Sequence, residues 1–218
     1  MTKSLVCDTS GDENASHFIR KFNLSSNEVI INQECIGDVG CIVWDSAIVA
    51  CYYFARKQSF WRGKKILEIG AGTGVCSIVL GVLGANVVAT DLSDRIGLIH
   101  QNIANNLEAI VLNEGVVKVE TLDWNDSCDQ LIYYDVVVMI DTIYYLKALD
   151  GLLKILLRIK APTVVCCYEV RDIGEPMIAQ QRFFEMISPF FNVALVTDKE
   201  LDPLYKSSDI KVLTFARR

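Results

Sequence analysis

From Lys64 to Phe215, short apolar runs alternate with longer stretches whose apolar residues recur at helical spacing. This alternation restricts the chain more than any other feature. Lys64–Ile69, Asn86–Thr90, Val116–Thr121, Tyr134–Ile140 and Thr163–Tyr168 read as strands. Val75–Leu83, Ser93–Leu107, Leu146–Lys160 and Pro176–Ile187 read as the helices between them. The strands are almost wholly apolar, which is the pattern of a parallel sheet covered by helices on both faces. Phe191–Thr197 and Ile210–Phe215 are joined only by a polar stretch, so they are expected to pair antiparallel. Ahead of this set, residues 17–33 alternate weakly around a polar turn at Asn23–Asn27, which predicts a β-hairpin, and a short helix is expected over Asp45–Phe54. Residues 1–16 are polar and are expected to form a disordered tail, leaving residues 17–218 as a single domain.

Composition narrows the class. The chain has 218 residues, 51% of them apolar and 22% charged, enough for one domain with a full core. The longest apolar segment, Leu146 to Ile159, is interrupted by Lys147, Asp150, Lys154 and Arg158 at helical spacing and reads as an amphipathic helix rather than a membrane span. The N-terminus lacks the apolar core of a secretory signal. Of eight cysteines, Cys41, Cys51, Cys76, Cys166 and Cys167 lie in apolar stretches, no CxxC pair occurs and only two histidines are present. That pattern predicts buried thiols in a reducing, cytoplasmic compartment and no metal site. Cys166 and Cys167 should point to opposite faces of their strand. A net charge of −6 argues against a nucleic-acid backbone as the partner.

The residues that carry chemistry sit at the ends of the predicted strands, where open α/β sheets bind ligands. Glu68-Ile69-Gly70-Ala71-Gly72-Thr73-Gly74 follows the first strand of the set and opens a helix. The dinucleotide fingerprint is G-x-G-x-x-G, but here the third glycine comes one residue early and Val75 takes its place. Asp91 ends the second strand, 21 residues after Gly70, where a carboxylate accepts ribose hydroxyls of any nucleoside cofactor. Asp141-Thr142-Ile143-Tyr144 follows the fourth strand and can aim a carboxylate and a phenol at one cavity. The bland alternative there is a helix cap with a packed tyrosine. Gly40-Cys41-Ile42-Val43-Trp44-Asp45-Ser46-Ala47 places a tryptophan beside an acid upstream of the fold, and Leu122-Asp123-Trp124 follows the third strand. For both tryptophans the alternative to a cofactor wall is a place in the core.

Together these motifs resemble the methyltransferase-like 21 group of protein-lysine methyltransferases, over nearly the whole chain from Phe18 onward. Cys166-Cys167-Tyr168-Glu169-Val170-Arg171 and Tyr205-Lys206-Ser207-Ser208-Asp209-Ile210 are similar to the branch of that group that methylates a hexameric AAA ATPase, the valosin-containing protein. The resemblance implies a Rossmann-like, seven-strand, mostly parallel α/β sheet with its last hairpin antiparallel, extended by the N-terminal β-hairpin. It implies S-adenosylmethionine as cofactor, with S-adenosylhomocysteine as product. The cofactor contacts it implies fall on Trp44, Glu68, Gly70, Ala71, Gly72, Asp91, Trp124, Ile140 and Tyr144. At position 140 the group usually has alanine or another small residue, so Ile140 departs from the pattern.

The chemistry expected is lysine ε-amine methylation on a protein, with Asp141 orienting the amine and Tyr144 walling the channel beside the sulfonium. Glu169 and Arg171, after the fifth strand, are candidate substrate contacts or a surface ion pair. The rivals are a methyltransferase acting on nucleic acids or small molecules, a nicotinamide-dependent oxidoreductase and a non-catalytic binding module. Nucleic-acid amino-methyltransferases often carry Asn/Asp-Pro-Pro-Tyr where this chain has Thr142 and Ile143 in the middle positions. The chain is expected to act as a monomer, with no nucleic-acid or membrane partner.

Overall fold

The structure, a computed structural model, describes residues 17–24, 27–34, 39–126 and 133–218. The tail expected over residues 1–16 lies outside them, as do the two residues at the tip of the N-terminal turn. The hairpin forms as β1 (His17–Leu24) and β2 (Asn27–Glu34), with His17 opposite Glu34 and Leu24 opposite Asn27. α1 spans Asp45–Arg56, and α2 is a single turn at Gln58–Trp61.

The main sheet contains β3 (Lys65–Ile69), β4 (Asn86–Asp91), β5 (Val116–Thr121), β6 (Val136–Ile140), β7 (Thr163–Glu169), β8 (Phe191–Leu195) and β9 (Ile210–Arg217). Its order is β5-β4-β3-β6-β7-β9-β8. The first five strands run parallel, while β9 pairs antiparallel with both β7 and β8. The seven-strand mixed sheet and its closing antiparallel pair therefore match the expectation. The order reverses between β3 and β6. A crevice opens at such a switch point because neighbouring crossovers leave in opposite directions.

Each buried strand divides its side chains between two cores. Along β6, Val136, Val138 and Ile140 enter one core, and Val137 and Met139 enter the other. On β7, Cys167 belongs to the first core and Cys166 to the second, so the adjacent thiols do face opposite ways. The first core is covered by α1 and α3 (Val75–Val82), the second by α5 (Leu149–Arg158) and α6 (Gly174–Ile187). All five cysteines among the described residues are free and buried. No described helix is long and apolar enough to cross a membrane.

Two expected helices need correction. Leu146–Lys160 is a short 3-10 turn, Leu146–Ala148, that leads into α5. Its charged residues Lys147, Asp150, Lys154 and Arg158 all lie on the wet side. α4 runs Ile96–Leu112 rather than Ser93–Leu107. Leu107, which falls at helical spacing on the face of Ile96, Ile99 and Ile103, is 53% exposed, and Asn102 and Asn106 are buried instead.

The asparagines replace an apolar contact with a polar one for a definite reason. β1 satisfies only one edge of β2. On the other edge, Asn106 accepts from the Ile30 amide at 2.8 Å and donates to its carbonyl at 2.7 Å. Asn102 does the same for Asn32, at 2.7 and 3.0 Å. Buried backbone groups require partners, and two side-chain amides supply them where a third strand would otherwise be needed. Asn102 also donates to the Thr73 carbonyl at 2.9 Å, which ties the hairpin to the glycine-rich turn.

Candidate active site

The glycine-rich turn leaves β3 with Gly70, Gly72 and Gly74 all at positive φ, a conformation costly for residues with a Cβ. At Gly72 a Cβ would stand 2.9 Å from the Gly40 carbonyl oxygen, so the turn and the Gly40–Trp44 segment can touch only because the side chain is absent. The amides of Gly70 and Ala71 donate to Thr90, that of Gly74 to Ala71, and that of Gly72 to the Asp91 carboxylate at 2.7 Å. In a dinucleotide fold such amides face a pyrophosphate. Here these four are engaged within the protein.

Asp91 accepts from Gly72 through Oδ2 and from the Leu92 amide, at 2.8 Å, through Oδ1. One lone pair of each oxygen is thereby used, and the remaining acceptor capacity suits a vicinal diol. Burial pushes the Asp91 pKa up, against the pull of the two amides and of Arg95. Glu68 is fully buried on the α3 face of the sheet, where its carboxyl group accepts from the Ser77 hydroxyl. Burial raises its pKa to about 8, with the Ser77 hydrogen bond opposing.

Asp141 follows β6 with φ at 52°, one of two described non-glycine residues in the left-handed region. Such strain persists where surrounding bonds overdetermine it, and it clusters at functional sites. The Asp141 amide donates to the Cys167 carbonyl at 2.7 Å, and its Oδ2 accepts from Ser46 at 3.0 Å. Arg171 approaches Oδ2 at 3.9 Å and pairs with Glu169 at 2.8 Å. Burial raises the Asp141 pKa, against Ser46, the Glu169 amide and Arg171.

Trp44, Glu68, Gly70, Ala71, Gly72, Asp91, Trp124, Ile140, Asp141 and Tyr144 all line one cavity of about 730 Å³. That volume lies within the usual range of small-ligand sites, about 300–1,000 Å³. Four carboxylates (Asp91, Asp123, Asp141, Glu175) line it against three cations (Arg95, Lys147, Arg171), with the Glu68 carboxyl group protonated below about pH 8, which favours a positively charged ligand over a pyrophosphate. In its wall the Thr142 hydroxyl, on a residue 4% exposed, has no hydrogen-bond partner among the described residues. Buried hydroxyls ordinarily have one, so this orphan marks a place for a ligand atom. The glycine turn, the diol-binding carboxylate, the acidic lining and the orphan hydroxyl fit a cationic nucleoside cofactor. Among the described residues no cluster could hold a metal ion.

A family model described as lysine methyltransferase matches residues 23–190. The chain belongs to this family. It is 30% identical to the protein N-lysine methyltransferase METTL21A of Xenopus tropicalis over 168 residues, 75% of this chain and 74% of that one. It is 35% identical to the protein-lysine methyltransferase METTL21E of Bos taurus over 139 residues, 61% of this chain but only 47% of that protein's length. EEF1A lysine methyltransferase 3 of Xenopus tropicalis is 32% identical over 144 residues, 65% of this chain and 60% of that one. The fold is that of class I methyltransferases. The 16S rRNA N2 G1207 methyltransferase of T. thermophilus, solved with AdoMet and guanosine, superposes with a TM-score of 0.63 at 14% identity, covering 94% of this chain and 51% of that one. Magnesium protoporphyrin IX methyltransferase from Synechocystis, solved with bound SAH, does so with 0.55 at 15% identity, covering 79% and 82%.

Residues outside the predicted set also lie in or beside this cavity. In the Trp44-Asp45-Ser46 motif, Asp45 is exposed and Ser46 is the residue that faces in. Arg171 lines the cavity and its pair partner Glu169 does not. Gln180, on α6, grips the backbone beside them: it donates to the Glu169 carbonyl at 2.8 Å and accepts from the Arg171 amide at 3.1 Å. Ser46 and Thr142 stood within recognised motifs, whereas Gln180 carries no sequence signal of its own.

Proposed function

We propose that this chain transfers a methyl group from S-adenosylmethionine to the ε-amine of a lysine on another protein, through a single domain over residues 17–218. The substrate we favour is a hexameric AAA ATPase of the valosin-containing type, met in the reducing cytoplasm. Family membership supports the reaction class. The observation that carries the site assignment is Asp141: a strained residue whose carboxylate is held by Ser46 in the cavity that also contains the glycine turn and Asp91.

Asp91 takes the ribose hydroxyls, Gly70–Gly72 and Trp124 bound the nucleoside and methionine parts, and Trp44 and Tyr144 wall the reacting end. Ile140 lines the cavity where the family resemblance implies a smaller side chain, a difference that a contact through its backbone would survive. The bound cofactor supplies an electrophilic methyl carbon with a neutral thioether as leaving group. Asp141 would hold the substrate amine for the transfer, with the thioether leaving as the cofactor's product and the surplus proton of the methylated ammonium passing to solvent. The amine must arrive neutral. A free lysine is neutral only about once in a thousand near pH 7.4, a deficit of roughly 4 kcal/mol. Desolvation in the channel lowers that cost, and Asp141 fixes the nitrogen in line with the methyl carbon.

The test uses labelled cofactor with purified hexameric AAA ATPase, elongation factor 1A and total RNA as acceptors. Label should enter the ATPase. Asp141→Ala should abolish transfer while S-adenosylhomocysteine still binds. Label confined to RNA, or near-normal turnover by the variant, overturns the reading.

A further inference from the structure

An ionised Asp141 on its own poses a chemical problem for the proposed reaction, on which this inference rests. A carboxylate beside the incoming lysine favours the ammonium form, and the ammonium cannot act as nucleophile. The structure places a permanent cation at that point. The Arg171 guanidinium lies 3.9 Å from Asp141 Oδ2, the oxygen that also accepts from Ser46. It is anchored by Glu169 at 2.8 Å and lies over the Trp44 ring with its Cζ 5.7 Å from the centroid. Gln180, itself only 6% exposed, fixes the Arg171 backbone. This arrangement is more than a chance surface pair: a carboxylate and an aromatic face hold one guanidinium in the cavity wall, and a buried amide fixes the backbone that carries it.

We propose that Arg171 is a positioning residue that offsets the Asp141 charge, so that the substrate lysine is bound as the neutral amine. Ser46 has the complementary part: a neutral donor, it fixes the direction of the carboxylate and favours its ionised form without adding a countercharge. Other ionisable groups near Asp141 include Tyr144 in the same loop, Cys166, Cys167 and Glu169 on β7, Lys147 before α5 and Glu175 on α6. The two thiols are uncharged at neutral pH because burial raises both. Lys147 and Glu175 are exposed and screened by water, whereas Glu169, 32% exposed, shares the guanidinium, so that Arg171 offsets the Asp141 charge in part. Arg171 is therefore the cation closest to the carboxylate.

The test compares rates against pH for the wild type, Arg171→Met, Arg171→Lys and Ser46→Ala. The reaction is label transfer from tritiated S-adenosylmethionine into a protein extract of cells lacking the enzyme. S-adenosylhomocysteine affinity serves as the check on folding. With methionine at 171, the rising limb of the profile should move up by about one pH unit and the rate should recover in alkali. Lysine at 171 should restore the wild-type midpoint. Ser46→Ala should lower the rate at every pH and leave the midpoint in place. A wild-type midpoint for Arg171→Met, or failure of lysine to restore it, overturns the proposal. No transfer by the wild type, or full activity of Asp141→Ala, would instead count against the underlying function.

Discussion

The amide of Gly72 donates to the Asp91 carboxylate across 2.7 Å, joining the two segments that define a nucleoside site before any ligand arrives. The bond has two effects. It turns one loop amide away from any phosphate, and it orients the carboxylate so that its free lone pairs face the cavity. Asp91→Ala should therefore weaken S-adenosylhomocysteine binding about 10- to 100-fold, the range for losing hydrogen bonds to a charged group. Calorimetric titration reads this directly. NAD should show no binding to the wild-type protein. Undiminished affinity in the variant would remove Asp91 from the site.

Gly72 itself allows a second, purely steric forecast. Its φ is +56° and its missing Cβ faces the Gly40 carbonyl at 2.9 Å. Gly72→Ala should lose about 1–2 kcal/mol from the left-handed backbone alone, with further loss as the Gly40–Trp44 wall is pushed back. Cofactor affinity should fall with it. Gly97 on α4 is the control, because nothing lies within 4 Å of its Cβ position. Gly97→Ala should gain about 0.5–1 kcal/mol. Urea unfolding of both variants checks the contrast, and equal effects at the two positions would refute it.

The fold was legible in the sequence where a periodicity had one physical cause. The strands β3, β6 and β7 are buried on both faces, so their apolar runs could be assigned from composition alone. The site was legible where strand ends carry polar residues that a buried sheet would not tolerate without use: Glu68, Asp91 and Asp141. What stayed hidden was polar burial set by tertiary contact. Leu107 fits the helical period and is exposed, whereas Asn102 and Asn106 interrupt it and are buried. No local pattern announces that the free edge of a hairpin strand will pack on α4. Arg171 was visible as a charge after β7, but its place against Trp44 and Asp141 depends on Gln180, from the following helix.

That hidden contact is testable. Asn102→Leu is the substitution that helical periodicity would favour. It would leave the Asn32 amide, the Asn32 carbonyl and the Thr73 carbonyl without their present partner. Each unpaired buried group costs about 1–3 kcal/mol, so the variant should lose about 3 kcal/mol or more despite its added apolar surface. Denaturant unfolding measures the loss. A neutral or stabilising result would show that water or rearranged backbone takes over these bonds.

Glu68 gives the chain a pH dependence of unusual sign. Its carboxyl group titrates near 8 in the folded protein against an ordinary 4.5, chiefly because burial disfavours the charge. Between those values the native state keeps a proton that the unfolded chain has released. Stability from this group is thus greatest below about pH 4.5, falls as pH rises towards 8 and is level above, a change on the order of a few kcal/mol. Glu68→Gln mimics the protonated acid and removes the slope, so chemical denaturation at pH 6, 7 and 8 should show a steeper decline for the wild type than for the variant. The same proton reports on the ligand. A cation bound in the cavity favours the ionised carboxylate, so cofactor binding near neutral pH should release a proton. Titration calorimetry in buffers of different ionisation enthalpy detects that release, and it should vanish in Glu68→Gln. Coincident stability slopes, or the same proton release from both proteins, would show that Glu68 is already ionised in the folded chain.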